Sequence, residues 1–104
     1  MIFIETSVFT RHLEKLMSDD EYRLLQKELV TNPDKGDLIR HSGGLRKLRW
    51  AAVGRGKRGG LRIIYYWVVT EHQIYMLYIY PKSKQEDLTY TQLQTLKRII
   101  EERE

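Results

Sequence analysis

The spacing of apolar residues predicts two helices in the first third of the chain, after a short β-rich segment at residues 1–5 that we interpret as a strand. Thr6 or Ser7 can cap the first helix. Its apolar residues recur at spacings of four, three and one and so fall on one face: Phe9, Leu13, Leu16 and Met17. A capping-box pattern at residues 18–21 opens the second helix, which ends before Pro33. The second helix also has one apolar face: Tyr22, Leu25 and Leu29.

The rest of the chain follows β periodicity until a C-terminal helix. Residues 33–44 have the composition of turn and loop, whereas residues 45–51, 61–69 and 74–80 read as strands, the last two joined by a hairpin turn. A second capping box, formed by Thr89 and Gln92, opens a helix with apolar residues on one side: Leu93, Leu96 and Ile100. This order predicts a single α+β domain over residues 1–104, in which two N-terminal helices and a C-terminal helix pack on a mainly antiparallel sheet of about four strands.

The distribution of charge indicates a polyanionic partner. The net charge is +4, but residues 38–70 contain no Asp or Glu and carry +8, which leaves −4 for the rest of the chain. The eight basic residues of this stretch are Arg40, Arg46, Lys47, Arg49, Arg55, Lys57, Arg58 and Arg62. Nucleic acid is favoured over an anionic membrane, because a segment that binds a membrane surface is more often an amphipathic helix than strand and loop.

Other features of the sequence point to the cytoplasm. The chain has no cysteine, which excludes disulfides and thiolate metal sites and fits a reducing compartment. No run approaches the roughly 20 apolar residues that span a membrane, and the N-terminus lacks the basic region and cleavage site of a signal peptide. We therefore expect a soluble cytoplasmic protein with no membrane partner.

The segment 54–59 matches the glycine pattern of a dinucleotide-binding loop, but its context does not fit. That fingerprint requires a strand before the glycines and a helix after them, whereas here a strand follows. The segment is better interpreted as a cationic hairpin loop in which Arg55, Lys57 and Arg58 bind phosphates.

Familiar catalytic motifs are missing from the sequence. His12, His41 and His72 are scattered, with no paired carboxylate spacing between them, and no serine elbow of the G-x-S-x-G type occurs. We expect neither a metal nor a cofactor.

Arg62 stands out because it opens an otherwise apolar strand, on the same face as Ile64 and Tyr66. It must either extend to solvent at the rim of the sheet or meet an anion in a cleft, and the sequence leaves both interpretations open. Lys47 and Arg49 share a face of the preceding strand, and Lys82 and Lys84 follow the last one.

If the three strands are neighbours, these five cations surround one patch that suits a scissile phosphate without a metal. Arginines neutralise charge on phosphoryl oxygens, and a lysine with a lowered pKa can exchange protons. Aromatic residues of the last two strands can either stack on bases or, more commonly, pack in the core: Tyr65, Tyr66, Trp67, Tyr75, Tyr78 and Tyr80.

Three blocks of the sequence resemble the RelE/HigB superfamily of toxins, and most closely its HigB-like branch. The blocks are residues 43–49, residues 56–66, and residues 80–82 with 87–89. The resemblance implies two N-terminal helices on an antiparallel sheet. It implies metal-independent cleavage of mRNA in the ribosomal A site by attack of a ribose 2′-OH on the adjacent phosphate. It also implies neutralisation by a helix-turn-helix, HigA-like antitoxin, through which alone the toxin contacts operator DNA.

The resemblance also suggests roles for individual residues. Lys47 and Arg49 match paired basic residues on the second strand, Arg62 matches the arginine that clamps the scissile phosphate, and Lys82 and Lys84 match basic residues after the last strand. Independently of the resemblance, four further basic residues of the central stretch are candidates for RNA binding: Arg46, Arg55, Lys57 and Arg58.

The sequence departs from the family where some members have a catalytic tyrosine or histidine. Thr89 occupies that position here, and the neighbouring Tyr90 becomes the candidate general base. The departure leaves an alternative function open, namely a catalytically inactive RNA- or antitoxin-binding module that acts as a transcriptional corepressor.

Overall fold

The computed structural model describes residues 1–51 and 60–103. In these two segments the helices and strands are, in chain order, β1 (Ile2–Glu5), α1 (Ser7–Leu16), α2 (Asp19–Thr31), β2 (Asp37–Leu38), β3 (Arg46–Ala51), β4 (Gly60–Val68), β5 (Gln73–Pro81) and α3 (Tyr90–Glu101). A 3-10 turn at Val69–Glu71 joins β4 to β5. Within the same two segments, no helix is long and apolar enough to cross a membrane.

The strands form one sheet in the order β1-β5-β4-β3-β2. β1 runs parallel to β5 and the other pairs are antiparallel, which confirms the α+β class and the mainly antiparallel sheet. The predicted strand count of about four was low by one. The additional strand is β2, which lies where the sequence predicted turn and loop. It has only two residues and therefore no alternation to detect, and it is defined by its pairing with Arg46 and Lys47 of β3.

The sheet has a hydrophobic core on each face. On one face α1 and α2 pack against β3, β4 and β5; fully buried members of this core include Phe9, Leu25, Leu29, Ile63 and Tyr65. On the other face α3 covers a smaller core: Leu45, Ile64, Leu77, Tyr80, Leu96 and Ile100. The predicted apolar faces of all three helices are therefore the faces that pack on the sheet.

Caps and edge contacts fix where the helices begin. The Thr6 hydroxyl accepts from the Phe9 N–H at 3.0 Å and donates to the Leu77 carbonyl at 2.9 Å, so the start of α1 is attached to β5. At Thr89 both halves of the predicted capping box are formed. Ser18 caps the Glu21 N–H at 3.1 Å, but Glu21 Oε2 is buried without a hydrogen-bond partner in the described part of the chain.

A β-bulge in β5 sets which residues lie beside each other in the central hairpin. Tyr65 pairs with Met76, whereas Ile64 pairs with Tyr78, so Leu77 has no partner on β4. The extra residue shifts the pairing by one, with the result that Tyr80 lies opposite Arg62. Without the bulge, Ile79 would occupy that place.

Tyr65 links the turn before β2 to the core. Its ring is fully buried, its hydroxyl donates to the Pro33 carbonyl at 2.7 Å, and it accepts from the Gly36 N–H at 2.8 Å. Burial raises the pKa of this phenol. Gly36 is required by the close approach, because a Cβ at that position would lie 2.8 Å from Tyr65 Cε1.

We expect Tyr65→Phe to lower the free energy of unfolding by about 1–3 kcal/mol, since the Gly36 N–H would lose its acceptor in a buried site. Urea denaturation measures the change. The matched control is Tyr90→Phe, which removes a hydroxyl from a side chain that is 78% exposed. Equal stabilities for Tyr65→Phe and the wild type would contradict the role given to this hydroxyl.

Candidate phosphate-binding site

Three cations lie together on the face of the sheet that α3 covers. Arg49 pairs with Arg62, and Lys47 pairs with Ile64, one step along the same face. Directly paired residues of antiparallel strands project to the same side. The alternation of β3 and β4 therefore brings Lys47, Arg49 and Arg62 to one surface, as the sequence predicted.

Arg62 is buried and its guanidinium is bound to a carboxylate of the same chain. The residue is 5% exposed, which excludes the interpretation of a rim arginine. Nε donates to Glu86 Oε2 at 2.9 Å and Nη2 donates to Glu86 Oε1 at 3.0 Å, a bidentate arrangement. Nη1 donates to the Leu61 carbonyl at 3.3 Å. Of the two interpretations that the sequence left open, Arg62 therefore fits the one in which a buried arginine is paired with an anion. The anion is the Glu86 carboxylate.

Glu86 is strongly perturbed by this contact. The hydrogen bonds from Arg62 lower the pKa of its carboxyl to about 2, so the side chain is ionised throughout the physiological range. Its backbone is held by Tyr80, whose hydroxyl donates to the Glu86 carbonyl at 3.2 Å. Burial raises the pKa of Tyr80 to about 12, which keeps it a neutral hydrogen-bond donor.

The other two cations also have carboxylate partners. Lys47 Nζ lies 2.5 Å from Asp87 Oδ1 and 3.6 Å from Glu86 Oε2. Arg49 Nη1 lies 3.0 Å from an Asp37 oxygen on β2, in a more exposed pair. Lys47, like Arg62, is largely buried, with 12% of its side chain exposed.

The two lysines after β5 separate in space. Lys82 stays beside Arg62: its N–H donates to the Gly60 carbonyl at 2.9 Å, and a Cβ at Gly60 would lie within 4 Å of both Arg62 Nη1 and Lys82 Cβ. Lys84 instead lines a cavity of about 400 Å³ next to α1, together with His12 and Lys15. Of the five predicted cations, these contacts bring together Lys47, Arg49 and Arg62, with Lys82 at their border. A tight turn lies between the two lysines and is closed by the Lys84 N–H on the Pro81 carbonyl at 3.0 Å; the predicted catalytic role of Lys84 stays a prediction.

Arg46, which the sequence grouped with the RNA-binding residues, lies on the other face of β3. Its Nη1 donates to the carbonyls of Asp34 and Gly36 at 3.1 and 2.7 Å, so it supports the turn before β2. Arg55, Lys57 and Arg58 lie outside the described residues. Tyr90 is the first residue of α3 and its side chain is exposed, and its catalytic role stays a prediction.

The aromatic residues of β4 and β5 belong mainly to the two cores. Tyr65 and Tyr80 are buried, which removes them as platforms for bases. Tyr66 and Tyr75 lie under the Arg103 guanidinium, with their ring centroids 5.4 and 5.8 Å from its carbon. Tyr78 packs at 5.5 Å from both the His12 and Tyr80 rings.

The histidines have separate structural settings. His12 Nδ1 lies within 3.3 Å of the Ile79 carbonyl oxygen on the edge of β5, and His41 and His72 adopt left-handed backbone angles in turns. Across residues 1–51 and 60–103, no three His, Asp or Glu side chains cluster so as to hold a metal ion.

The residues that the sequence analysis missed are the acidic partners, Asp37, Glu86 and Asp87. A signal for Glu86 was present, because a buried strand arginine needs an anion. Between Arg62 and α3 the sequence offers only Glu71, Glu86 and Asp87. Glu71 lies at the opposite end of the β4–β5 hairpin from Arg62, which leaves the pair that follows β5.

These features define an α+β protein with cations on one face of its sheet, and comparison with known proteins narrows the class of protein. Residues 2–103 match the family described as the RelE toxin of the RelE/RelB toxin–antitoxin system. The chain therefore belongs to the RelE family of toxins from toxin–antitoxin systems.

Solved structures with a similar fold come from E. coli. The free toxin RelE, in a mutant with two arginines replaced by alanine, matches with a TM-score of 0.61 at 15% identity, covering 90% of this chain and 94% of that one. A structure of the isolated E. coli RelE toxin matches with a TM-score of 0.56 at 15% identity, covering 94% of this chain and 97% of that one. A chain of the intact E. coli RelBE toxin–antitoxin complex matches with a TM-score of 0.56 at 16% identity, covering 75% of this chain and 92% of that one.

The Arg62–Glu86 pair predicts a specific pH dependence of stability. The Glu86 carboxyl has a pKa of about 2 in the fold and near 4.5 in the unfolded chain, so its ionised form favours the folded state above about pH 4.5. That contribution is lost as the pH falls toward 2. We expect Glu86→Gln to be less stable than the wild type at neutral pH and the difference to shrink on acidification. Thermal unfolding of both proteins from neutral pH down to about pH 2 measures this difference in stability.

The control for this experiment is Glu14→Gln, which removes the same charge from an exposed position on α1. A difference between the wild type and Glu86→Gln that stays constant from neutral pH down to about pH 2 would contradict the assignment of the lowered pKa.

Proposed function

We propose that this toxin is a ribosome-dependent mRNA endoribonuclease of the HigB-like branch, which cleaves by attack of a ribose 2′-OH and uses no metal. The observation that carries the proposal is the bidentate anion site of Arg62. A buried guanidinium with its fork directed at two carboxylate oxygens has the geometry that binds two oxygens of a phosphate. Lys47 and Arg49 flank it on the same face.

In the proposed reaction the 2′-oxygen forms a bond to phosphorus, the bond from phosphorus to the 5′-oxygen breaks, and a 2′,3′-cyclic phosphate and a 5′-hydroxyl result. Arg62 and Lys47 neutralise the charge that builds on the non-bridging oxygens, which is the task that preorganised cations perform in a site of low dielectric. Arg49 holds the neighbouring backbone.

Proton transfer requires a base for the 2′-OH and an acid for the leaving 5′-oxygen. Lys82, which lies beside Arg62, is better placed as the acid than Lys84, which lines the cavity next to α1. Tyr90 is the candidate base, since it is exposed at the start of α3, three residues beyond the Asp87 that contacts Lys47. A carboxyl with a pKa of about 2 is a weak base, which disfavours Glu86 in that role.

The E. coli relative was crystallised as a toxin–antitoxin complex, and we infer that an antitoxin likewise neutralises this chain. The proposed partner is a helix-turn-helix, HigA-like protein that supplies all contacts to operator DNA. In the absence of the antitoxin, the toxin acts in the cytoplasm, on mRNA in the ribosomal A site.

We expect Arg62→Ala to abolish growth arrest on induced expression in bacteria that lack an antitoxin. Loss of the clamp should reduce mRNA cleavage on the order of a hundredfold or more. The measurements are growth and the mapping of mRNA 5′ ends in the wild type and the variant. The matched control is Arg23→Ala, whose side chain on α2 is 77% exposed; it should remain fully toxic.

Two results would decide against this function. A fully toxic Arg62→Ala would remove Arg62 from the mechanism. Normal growth with soluble wild-type protein and no new 5′ ends would favour the inactive RNA- or antitoxin-binding corepressor.

If Tyr90 is the general base, Tyr90→Phe should lower the rate of cleavage on programmed ribosomes by about a hundredfold to ten-thousandfold, the usual contribution of general base catalysis. Binding to the ribosome should not change. Tyr75→Phe on β5 is the control. Cleavage by Tyr90→Phe at the wild-type rate would assign the base to another group.

A further inference from the structure

We propose that Glu86 and Asp87, here called the acidic segment, act as an internal competitor of RNA: they occupy the phosphate site of Arg62 and Lys47 and must be displaced when a substrate phosphate binds. The acidic segment therefore sets the affinity of the site for RNA. The inference rests on the proposed function, which assigns Arg62 to a substrate phosphate.

The hydrogen bonds of Arg62 show that Glu86 and a phosphate would compete for the same edge of the guanidinium. A guanidinium has five N–H donors in a fixed plane. The Nε N–H and one Nη2 N–H are directed at the Glu86 carboxylate. One Nη1 N–H is directed at the Leu61 carbonyl. The Nε–Nη2 edge of the guanidinium, which can bind two oxygens at once, is therefore occupied, and a phosphate can use that edge only after the Glu86 carboxylate has left.

The exposed fractions of the side chains show that the acids, and not the cations, are able to move. Arg62 and Lys47 are fixed on adjacent central strands, with 6% and 12% of their side chains exposed. Glu86 and Asp87 have 45% and 76% of their side chains exposed and lie between β5 and α3, outside any helix or strand. Exchange of the anion thus requires rotation of exposed acidic side chains and no movement of the sheet.

The backbone of the acidic segment is anchored separately from its carboxylates. Tyr80 donates to the Glu86 carbonyl at 3.2 Å, and Gln85 Nε2 donates to the Asp87 carbonyl at 2.9 Å and to Gln92 Oε1 at 2.8 Å. These bonds do not involve the carboxylate oxygens of either acid. The carboxylates can therefore leave the cations while the chain stays in place, which keeps them available to return when RNA dissociates.

The test measures binding of a short fluorescent 2′-O-methyl RNA, which cannot be cleaved, by fluorescence anisotropy. We expect Glu86→Gln to tighten binding by roughly tenfold, the factor that corresponds to one charge-assisted hydrogen-bond contact. Asp87→Asn, which releases Lys47, should tighten it by about threefold, as expected for a more exposed pair. Glu14→Gln, which changes the net charge equally, should shift binding by no more than about twofold.

A double variant separates competition at Arg62 from a general effect of charge. In an Arg62→Ala background, the gain from Glu86→Gln should fall well below its value in the wild type, because the Arg62 contact is gone and only the 3.6 Å contact of Glu86 with Lys47 is left to release. Circular dichroism verifies that each variant is folded. Should Glu86→Gln not fold, Asp87→Asn alone decides the question.

The outcomes distinguish this inference from the proposed function. If Arg62→Ala weakens RNA binding but neither Glu86→Gln nor Asp87→Asn tightens it beyond the control, the acidic segment is a structural ion-pair partner only. The inference is then overturned and the proposed function stands. If Arg62→Ala leaves RNA binding unchanged, the assignment of Arg62 to phosphate is wrong, and the inference is overturned with it.

Discussion

The guanidinium of Arg62 cannot stay buried without an anion, and much of the site is arranged around that requirement. A charge that is almost excluded from water is tolerated only when it is paired and its donors are satisfied. The bulge at Leu77 places Tyr80 beside Arg62, and the Tyr80 hydroxyl holds the backbone of Glu86. The segment between β5 and α3 is thus positioned by the same ion pair that it completes, and α3 begins directly after it.

Each cation on this face is paired with a carboxylate. Lys47, Arg49 and Arg62 would repel one another if they were unpaired, and the repulsion would weaken β3 and β4 where they pair. The intramolecular acids remove this repulsion. Under the proposed displacement, a phosphate would meet donors that are already held in place, so few side chains would lose rotamer freedom on binding.

The periodicity of apolar residues was sufficient to predict the long helices and strands and their buried faces. The faces of α1, α2 and α3 and the alternation of β3 and β4 follow from residues such as Phe9, Leu25 and Leu96, because a repeat of 3.6 or 2 determines which side is buried. Three features of the structure leave no periodic pattern in the sequence. β2 is too short to alternate, the bulge at Leu77 depends on packing across two strands, and the contact of Glu86 joins residues 24 positions apart.

The parallel pairing of β1 with β5 has a consequence for synthesis of the protein. Ile2 pairs with Gln73, and the cap of α1 at Thr6 is fixed to Leu77, 71 residues later. A nascent chain that stops before β5 therefore has no partner for its first strand and lacks one of the strands against which Phe9 and Leu13 are buried. β1 and α1 can therefore take their native places only after β5 has been synthesised. The ion pairs of Arg62 and Lys47 likewise form only once Glu86 and Asp87, which follow β5, have been added to the chain.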